Sequence, residues 1–362
     1  MKTLKGLIAT LVWLVGLAAA TPALAQSEPP AKPFNVTLRV ATFPGTWAEA
    51  IRKEIGDTLA KAGITIEFVG GNSSEFLAKL VTARGRSVPF DVIEIGDDTY
   101  PDFRAADFLE KIDHTKIPNL SKVDPSLYDD YIVSNWLSEP GVVYNADKFA
   151  EAGIPAPKRF SDLANPALKG RVLLPDITSY NVYYLITALA LENGGSETDP
   201  TLGFDMIKKI APHSAVSKSG TVAQLFQTGD VWAAIWGAHI GQRIAQSGIN
   251  ISVAHPAVKG GKVAIARGFL GVAKGTPNKL AAEYYINAIL TKGVQERFST
   301  EYGMVPVIAE ARATARSEGG KGKDGNPFLK LDDEDVAKAW WPDYKVIDKR
   351  DWARRFQRAL AN

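Results

Sequence analysis

The sequence has no cysteine among its 362 residues. This absence excludes disulfides, thiolate zinc sites, iron–sulfur clusters and cysteine nucleophiles, so the folded chain depends on its hydrophobic core. Only four histidines are present, and no two of them share a metal-ligand spacing. The chain also lacks a Gly-x-Ser-x-Gly elbow, a His-Glu-x-x-His motif and a Walker loop. We therefore expect no catalytic residues, no metal and no cofactor.

An excess of positive charge is also missing. The chain has 42 lysines and arginines against 40 aspartates and glutamates. A nucleic-acid-binding protein is expected to carry a basic surplus or stripe, so we expect no nucleic-acid partner. After residue 25 there is no apolar run long enough to cross a membrane.

What the sequence does contain begins with its first 25 residues. Lys2 and Lys5 precede an uncharged apolar run, and Ala23-Leu24-Ala25 offers small residues for cleavage. This pattern predicts a secretory signal peptide over residues 1–25, cleaved after Ala25, and a periplasmic protein. An uncleaved anchor is the alternative, although the apolar run is shorter than the roughly 20 residues that span a bilayer. The proline-rich residues 26–35 are predicted to be a disordered leader.

Strand and helix patterns alternate after this leader. Apolar residues recur every four positions from Trp47 to Leu59, which predicts an amphipathic helix. Ser73 is the predicted N-cap of the next helix, and one continuous helix is predicted from about Lys279 to about Thr300. Strands are predicted at 36–40, 64–68, 91–95, 172–174, 231–236, 251–254 and 269–273. This order indicates an α/β fold with largely parallel sheets.

Two kinds of side-chain pair draw attention. Asp97-Asp98 follows the strand predicted at 91–95, and ligands of open α/β sheets bind beyond the carboxyl ends of strands. The alternative is that one of these aspartates only caps the following helix. The pairs Tyr183-Tyr184 and Tyr284-Tyr285 could ligate ferric iron, but their apolar helical surroundings favour core packing.

Several short motifs occur in a distinctive order along the chain. They are Phe90–Ile95 with Phe108–Asp113, Gly141–Asn145, Phe160–Leu163 with Leu168–Val172, Gln227–Val231 before Trp236-Gly237, Gly303–Val307, and Asp348–Phe356. This order resembles the type II periplasmic solute-binding proteins of ABC transporters, most closely the spermidine/putrescine-binding branch. The resemblance implies the type II periplasmic binding protein fold, with two α/β lobes joined by a hinge that closes on a ligand. It assigns residues 36–139 and 269–311 to lobe 1, and residues 140–268 and 312–362 to lobe 2.

The resemblance also implies a ligand pocket between the lobes. The candidate ligand-binding residues are Phe43, Thr46, Trp47, Asp97, Asp98, Thr178, Ser179, Tyr180, Trp236, His239 and Arg267. Some of them have purely structural alternatives: Ser179 as an N-cap, Trp47 as core, and Arg267 as the partner of a surface carboxylate. Polyamine-binding relatives carry carboxylates where this chain has Ile177 and Tyr180, and Arg267 adds a cation. Both departures argue against a polyamine ligand.

The chemistry of these candidates favours a different solute. A helix N-terminus at Thr178 and Ser179, together with Arg267, suits an anionic group. Asp97 or Asp98 suits an ammonium group. We predict an anionic or zwitterionic organic solute, such as an amino acid derivative, an opine or an aminophosphonate.

The resemblance implies an ABC permease and ATPase in the inner membrane as partners, and a monomer. Three alternatives stay open: a polyamine ligand, a ligand-sensing module for a membrane receptor, and a periplasmic enzyme. For the last of these, no nucleophile–base pair can be assembled from the sequence.

Overall fold

The computed structural model describes residues 33–84, 86–318 and 320–361. The predicted signal peptide and most of the predicted leader lie outside the described residues. Within these ranges, no helix is both long and apolar enough to cross a membrane.

Strands and helices alternate through most of the described chain. The strands are β1 (Val36–Thr42), β2 (Ile64–Gly70), β3 (Val92–Gly96), β4 (Leu109–Glu110), β5 (Ile132–Ser138), β6 (Pro140–Asn145), β7 (Val172–Pro175), β8 (Ser214–Val216), β9 (Ala233–Gly237), β10 (Ile251–Ala254) and β11 (Ala266–Ala273). The helices are α1 (Thr46–Lys61), α2 (Ser73–Ala83), α3 (Tyr100–Ala105), α4 (Ala146–Glu151), α5 (Tyr180–Glu192), α6 (Thr201–Ile210), α7 (Ser219–Thr228), α8 (His239–Ala245), α9 (Lys279–Ile289), α10 (Lys292–Tyr302), α11 (Ala309–Glu318), α12 (Asp333–Ala337) and α13 (Lys349–Leu360).

The first sheet has the strand order β2-β1-β3-β11-β4, and β5 also pairs with β11. β1 runs parallel to β2 and β3, whereas β11 is antiparallel to β3, β4 and β5. Apolar residues such as Leu38, Val40 and Val92 are fully buried in it, as expected of a sheet covered on both faces. Because β1 and β3 are parallel neighbours, the residues that follow Thr42 and Gly96 lie at the same edge of this sheet.

The second sheet has the order β10-β6-β9-β7-β8. β7 is parallel to β8 and β9, whereas β6 is antiparallel to β9 and β10. Helix α5 is buried from Asn181 to Ala190, and it contains Tyr183 and Tyr184. Tyr285 is fully buried in α9, and Tyr284 packs against the same core as Tyr285. Core packing is therefore confirmed for the tyrosine pairs.

The described chain passes between the sheets three times. Glu139 alone separates β5 in the first sheet from β6 in the second, and the second passage joins β10 to β11. Val305 pairs with Leu137 of β5 before the chain returns to the second sheet, where α13 packs on α6. We call β1–β5, β11, α1–α3, α9 and α10 the first lobe, and β6–β10, α4–α8 and α13 the second lobe. Residues 266–268 pair with the first sheet, although the resemblance assigned them to lobe 2.

Two local predictions are wrong. Asn72, and not Ser73, caps α2, because Asn72 Oδ1 accepts a hydrogen bond from the Glu75 N–H at 3.0 Å. Ser73 Oγ instead accepts from the Gly96 N–H at 2.8 Å and so links α2 to β3. The helix predicted over 279–300 is two helices, because the backbone turns to an extended conformation at Thr291, where ψ is 142°.

Candidate ligand-binding site

Asp97 and Arg267 face each other where β3 ends and β11 begins. Asp97 Oδ2 accepts a hydrogen bond from the Arg267 backbone N–H at 3.1 Å and lies 3.6 Å from the guanidinium Nε. The Asp97 N–H donates in turn to the Arg267 carbonyl at 3.1 Å. The two side chains are 1% and 14% exposed. Strand pairing therefore holds a largely buried ion pair at this edge. The alternative that Arg267 pairs with a surface carboxylate is wrong, because its partner Asp97 is buried.

Unpaired buried polar atoms lie at this ion pair and at the start of α5. Burial raises the pKa of Asp97, and the Arg267 cation offsets only part of the effect. Asp97 Oδ1, the neighbouring Tyr344 hydroxyl and Asn181 Oδ1 at the start of α5 are buried without a hydrogen-bond partner among the described residues. Each such atom costs about 1–3 kcal/mol. A polar ligand that bonded to them would recover this energy.

Asp98 does not cap α3, and neither does Asp97, so that alternative is wrong. The residue before α3 is Thr99, and no side chain caps the helix. A Cβ atom at Gly96 would lie 2.6 Å from Asp98 Oδ1, so a larger residue there would displace the Asp98 carboxylate. Burial raises the pKa of Asp98 to about 7, although the Lys349 cation lowers it. Asp98 is therefore partly protonated near neutral pH.

Arg267 also lies between two aromatic rings. Its Cζ atom is 3.9 Å from the centroid of Trp341 and 5.2 Å from that of Phe269. Contacts of this kind are worth about 2 kcal/mol when they are desolvated, and they restrict the orientation of the guanidinium. Trp341 is absent from the predicted site. Its only signal in the sequence is an aromatic pair, Trp340-Trp341, outside any helical or strand periodicity.

A row of three aromatic side chains connects the lobes. Phe43 follows β1, Trp136 lies on β5, and Tyr180 begins α5; the successive ring centroids are 6.4 and 6.0 Å apart. Burial raises the pKa of Tyr180, and Ser138 beside its hydroxyl lowers it in part. The structure thus brings together two predicted residues, Phe43 and Tyr180, through Trp136, which sequence reasoning missed.

Glu94 fixes two indoles of the first lobe. This fully buried residue of β3 accepts hydrogen bonds from Trp47 Nε1 at 2.9 Å, Trp136 Nε1 at 2.6 Å and Asn135 Nδ2 at 2.8 Å. The Thr42 hydroxyl is a fourth donor. Burial raises the pKa of Glu94, and the four donors oppose the change. The sequence does contain one signal for this role, because Glu94 is a glutamate within an otherwise apolar strand.

Three other predicted residues pack in the core or lie on the surface. Trp47 packs on Phe298 with ring centroids 4.8 Å apart, so its predicted core role is confirmed. Trp236 is 2% exposed within the same hydrophobic core. Thr46 is exposed in the first turn of α1. As ligand contacts, these residues stay predictions.

The second lobe contributes two helix starts. Ser179 is the N-cap of α5, and its Oγ accepts from the Asn181 N–H at 3.3 Å. Thr178 is exposed and donates its hydroxyl to Asp176 Oδ1 at 2.6 Å. At the start of α8, burial lowers the pKa of His239 to about 4, so its imidazole is neutral at neutral pH. His239 Nδ1 lies 3.5 Å from Ser138 Oγ, the hydroxyl that also neighbours Tyr180.

The arrangement offers charged, aromatic and hydrogen-bonding groups that suit the binding of a polar solute. Among the described residues, no group of three or more His, Asp and Glu side chains could hold a metal ion. Opposite charges, an aromatic row and unpaired buried atoms lie where the two sheets meet. Residues 53–321 match the family of bacterial extracellular solute-binding proteins.

The chain belongs to this family.

Known relatives agree with the assignment. The solute-binding protein is 24% identical over 271 residues to the spermidine/putrescine-binding periplasmic protein of Escherichia coli K12, covering 71% of this chain and 74% of that relative. The predicted resemblance to solute-binding proteins of ABC transporters is confirmed.

Solved structures share the fold. The Atu4243 GABA receptor superposes with a TM-score of 0.71 at 20% identity, covering 90% of this chain and 98% of the receptor. The binding protein MotA of A. tumefaciens B6, in complex with glucopine, gives a TM-score of 0.70 at 20% identity, covering 90% of this chain and all of MotA (100%). The predicted two-lobed type II periplasmic binding protein fold is confirmed for the solute-binding protein.

Proposed function

We propose that this protein captures a small zwitterionic or anionic organic solute in the periplasm by closing its lobes, as the binding component of an ABC importer. The buried Asp97–Arg267 pair carries this proposal. A zwitterion complements both charges, with an ammonium group on Asp97 Oδ1 and an anionic group on the terminal N–H groups of Arg267. Asn181 and Tyr344 supply further unpaired polar atoms for such a ligand.

The arginine argues against a polycation at this place. Two unit charges 4 Å apart repel by about 4 kcal/mol at an effective dielectric constant of 20. A ligand ammonium on Asp97 would meet Arg267, whose Nε is 3.6 Å from the same carboxylate. Lys349 places a second cation beside Asp98. An anionic group on the ligand relieves this repulsion.

The aromatic row suits the rest of the solute. Phe43, Trp136 and Tyr180 offer an extended apolar surface to a carbon skeleton. Two structural neighbours, one named a GABA receptor and one solved with glucopine, are consistent with a small organic ligand. The curated relative named for spermidine and putrescine favours the rival, a polyamine held by Asp97 and Asp98.

A ligand screen tests the proposal. The purified protein is unfolded, dialysed and refolded to remove carried solute, and is then heated with amino acids, opines, aminophosphonates, dicarboxylates or polyamines. A ligand at 100 times its dissociation constant adds about 2.7 kcal/mol to stability. We expect stabilisation by zwitterionic or anionic compounds and none by polyamines. Stabilisation by polyamines alone would overturn the proposed ligand class.

Two arginine variants test whether the solute binds at Arg267. Arg267→Ala is expected to weaken binding of the stabilising solute at least about tenfold, as loss of a charged hydrogen-bonding partner does. Arg52→Ala is the matched control, because Arg52 is also stacked on a ring, that of Phe68 at 4.8 Å, but is exposed on α1. Equal affinities in the two variants, measured by titration calorimetry, would remove Arg267 from the site.

A gene deletion distinguishes a role in transport from a role in sensing. Deletion of the gene is expected to abolish uptake of the identified solute and to be complemented by the intact gene. Normal uptake together with a lost transcriptional response to the solute would favour a sensing module.

A further inference from the structure

The passages between the lobes meet at one carboxylate. Glu139, the single residue between β5 and β6, is 1% exposed. Its Oε1 lies 2.7 Å from Nδ1 of His255, which directly follows β10 on the second passage. Its Oε2 accepts from the Lys330 N–H at 2.9 Å and the Leu331 N–H at 3.2 Å, after the chain has returned to the second lobe. The Glu139 side chain therefore contacts all three passages between the lobes.

The cluster is closed to solvent and held on the backbone as well. The side chains of Glu139 and His255 are 0% and 6% exposed. The Glu139 carbonyl also accepts from the Ala238 N–H at 2.7 Å, next to the end of β9. Hinge motion requires a few connecting residues to absorb the change in backbone torsions. A rotation about Glu139 would strain these contacts, so they resist it.

We propose that Glu139 and His255 are positioning residues that govern lobe opening by tying the three passages together. Neither residue needs to touch the ligand. Their pairing favours the arrangement seen here, in which Trp136 and Tyr180 of the candidate site meet. The proposal concerns the ligand-free lobes and is independent of which solute binds.

The chemistry of the pair makes lobe opening depend on pH. Burial lowers the pKa of His255, but the Glu139 carboxylate and the Pro327 carbonyl outweigh burial, and the pKa is raised overall. Lys330 is the facing cation, and it opposes the increase. A base whose pKa is raised contributes fully at low pH and loses its contribution as the pH rises through that value. The lobes should therefore loosen in alkaline solution.

The absence of cysteine allows a direct measurement. Lys79→Cys on α2 and Lys169→Cys before β7 place one spin label on each lobe, at exposed positions. Distances are measured by pulsed electron spin resonance on the ligand-free full chain at about pH 6 and pH 9. We expect a narrow distribution at pH 6, and a longer, broader one at pH 9.

Variants assign the effect to the pair. His255→Gln and Glu139→Gln are expected to give the broad distribution at both pH values. His213→Gln, an exposed histidine of the second lobe, is the matched control and should behave as the unsubstituted chain. Distances that do not change with pH in the unsubstituted chain would overturn the proposal, even if the variants failed to fold. Because Asp98 also titrates near pH 7, the comparison is repeated in an Asp98→Asn background. A pH response retained in His255→Gln in that background would also overturn the proposal.

Discussion

The indole of Trp341 covers the guanidinium of Arg267, with 3.9 Å between the ring centroid and Cζ. Arg267 belongs to β11 of the first sheet. Trp341 comes from a segment attached to the second lobe, where Glu197 accepts hydrogen bonds from Trp340 Nε1 at 3.1 Å and the Asp343 N–H at 3.0 Å. The contact therefore joins an arginine of one lobe to a ring carried by the other.

Trp341 should contribute to solute affinity through this contact. We expect Trp341→Leu to weaken binding of the solute found in the screen about 3- to 30-fold, the equivalent of losing a partly buried cation–π contact. Trp341→Phe should retain most of the affinity. Trp232→Leu is the control, since Trp232 stacks on Arg171 in the second lobe. Identical affinities of Trp341→Leu and the control, measured by calorimetry, would contradict the role of Trp341.

Lys349 should slow the release of solute. Its Nζ reaches from α13 to the Asp98 carbonyl at 2.7 Å and Asp102 Oδ2 at 2.6 Å in the first lobe. Because the ion pair is partly exposed, we expect Lys349→Met to raise the dissociation rate about 2- to 5-fold in stopped-flow measurements. Asp102→Asn should not add to this effect.

A matched lysine checks that assignment. Lys338 pairs with Glu334 within one helical segment, so Lys338→Met should leave the dissociation rate unchanged. A rate for Lys349→Met equal to that of this control would show that α13 does not restrain opening.

Asp98 should make the folded protein more stable in mild acid. Its pKa is about 7 in the fold against an ordinary 3.8. A carboxyl group whose pKa is raised by folding stabilises the folded state fully when the pH is below its ordinary pKa. This stabilisation is lost as the pH rises through the pKa of the folded state. Between pH 5.5 and 8 the free energy of unfolding should fall by up to about 2 kcal/mol.

Urea denaturation at both pH values measures this effect. Asp98→Asn is expected to remove that part of the pH dependence. His255 contributes with the same sign, so the comparison is repeated in a His255→Gln background. A pH dependence that is unaltered by Asp98→Asn would show that Asp98 titrates normally.

Gly268 should be essential to the aromatic row. A Cβ atom at this position would lie 2.1 Å from the Trp136 ring, so Gly268→Ala requires the indole to move. We expect a loss of about 1–3 kcal/mol in the free energy of unfolding, as in other overpacked sites. Gly220→Ala, which meets no atom within 4 Å in α7, should instead gain up to about 1 kcal/mol. Equal chemical denaturation midpoints for both variants would contradict this packing.

The features that sequence predicted correctly have local causes. Buried apolar residues at Leu38 and Val40 alternate with more exposed ones, and this period defines β1. Ser179 caps α5 through an atom two residues away, so its role could be predicted from its immediate neighbours. The position of Asp97 and Asp98 beyond the end of β3 also followed from the apolar run just before them.

The features that sequence missed depend on distant partners. Glu94 is stabilised in an apolar strand by Trp47 and Trp136, and no local pattern pairs these residues. Trp341 reaches Arg267 only through the packing of the C-terminal segment. The misplaced cap of α2 has a different cause: Asn72 and Ser73 are both good N-caps, and the contact of Ser73 with Gly96 decides between them.

The position of β11 also fixes an order of assembly. Asp97 and Arg267 are separated by 170 residues of chain, and β3 pairs with β11 at the centre of the first sheet. Nearly the whole second lobe must be available before this edge of β3 finds its partner. Loop closure over such a distance is slow, and an unpaired strand edge is prone to aggregation. The amino-terminal half is therefore the part of this molecule most exposed to aggregation until β11 has paired.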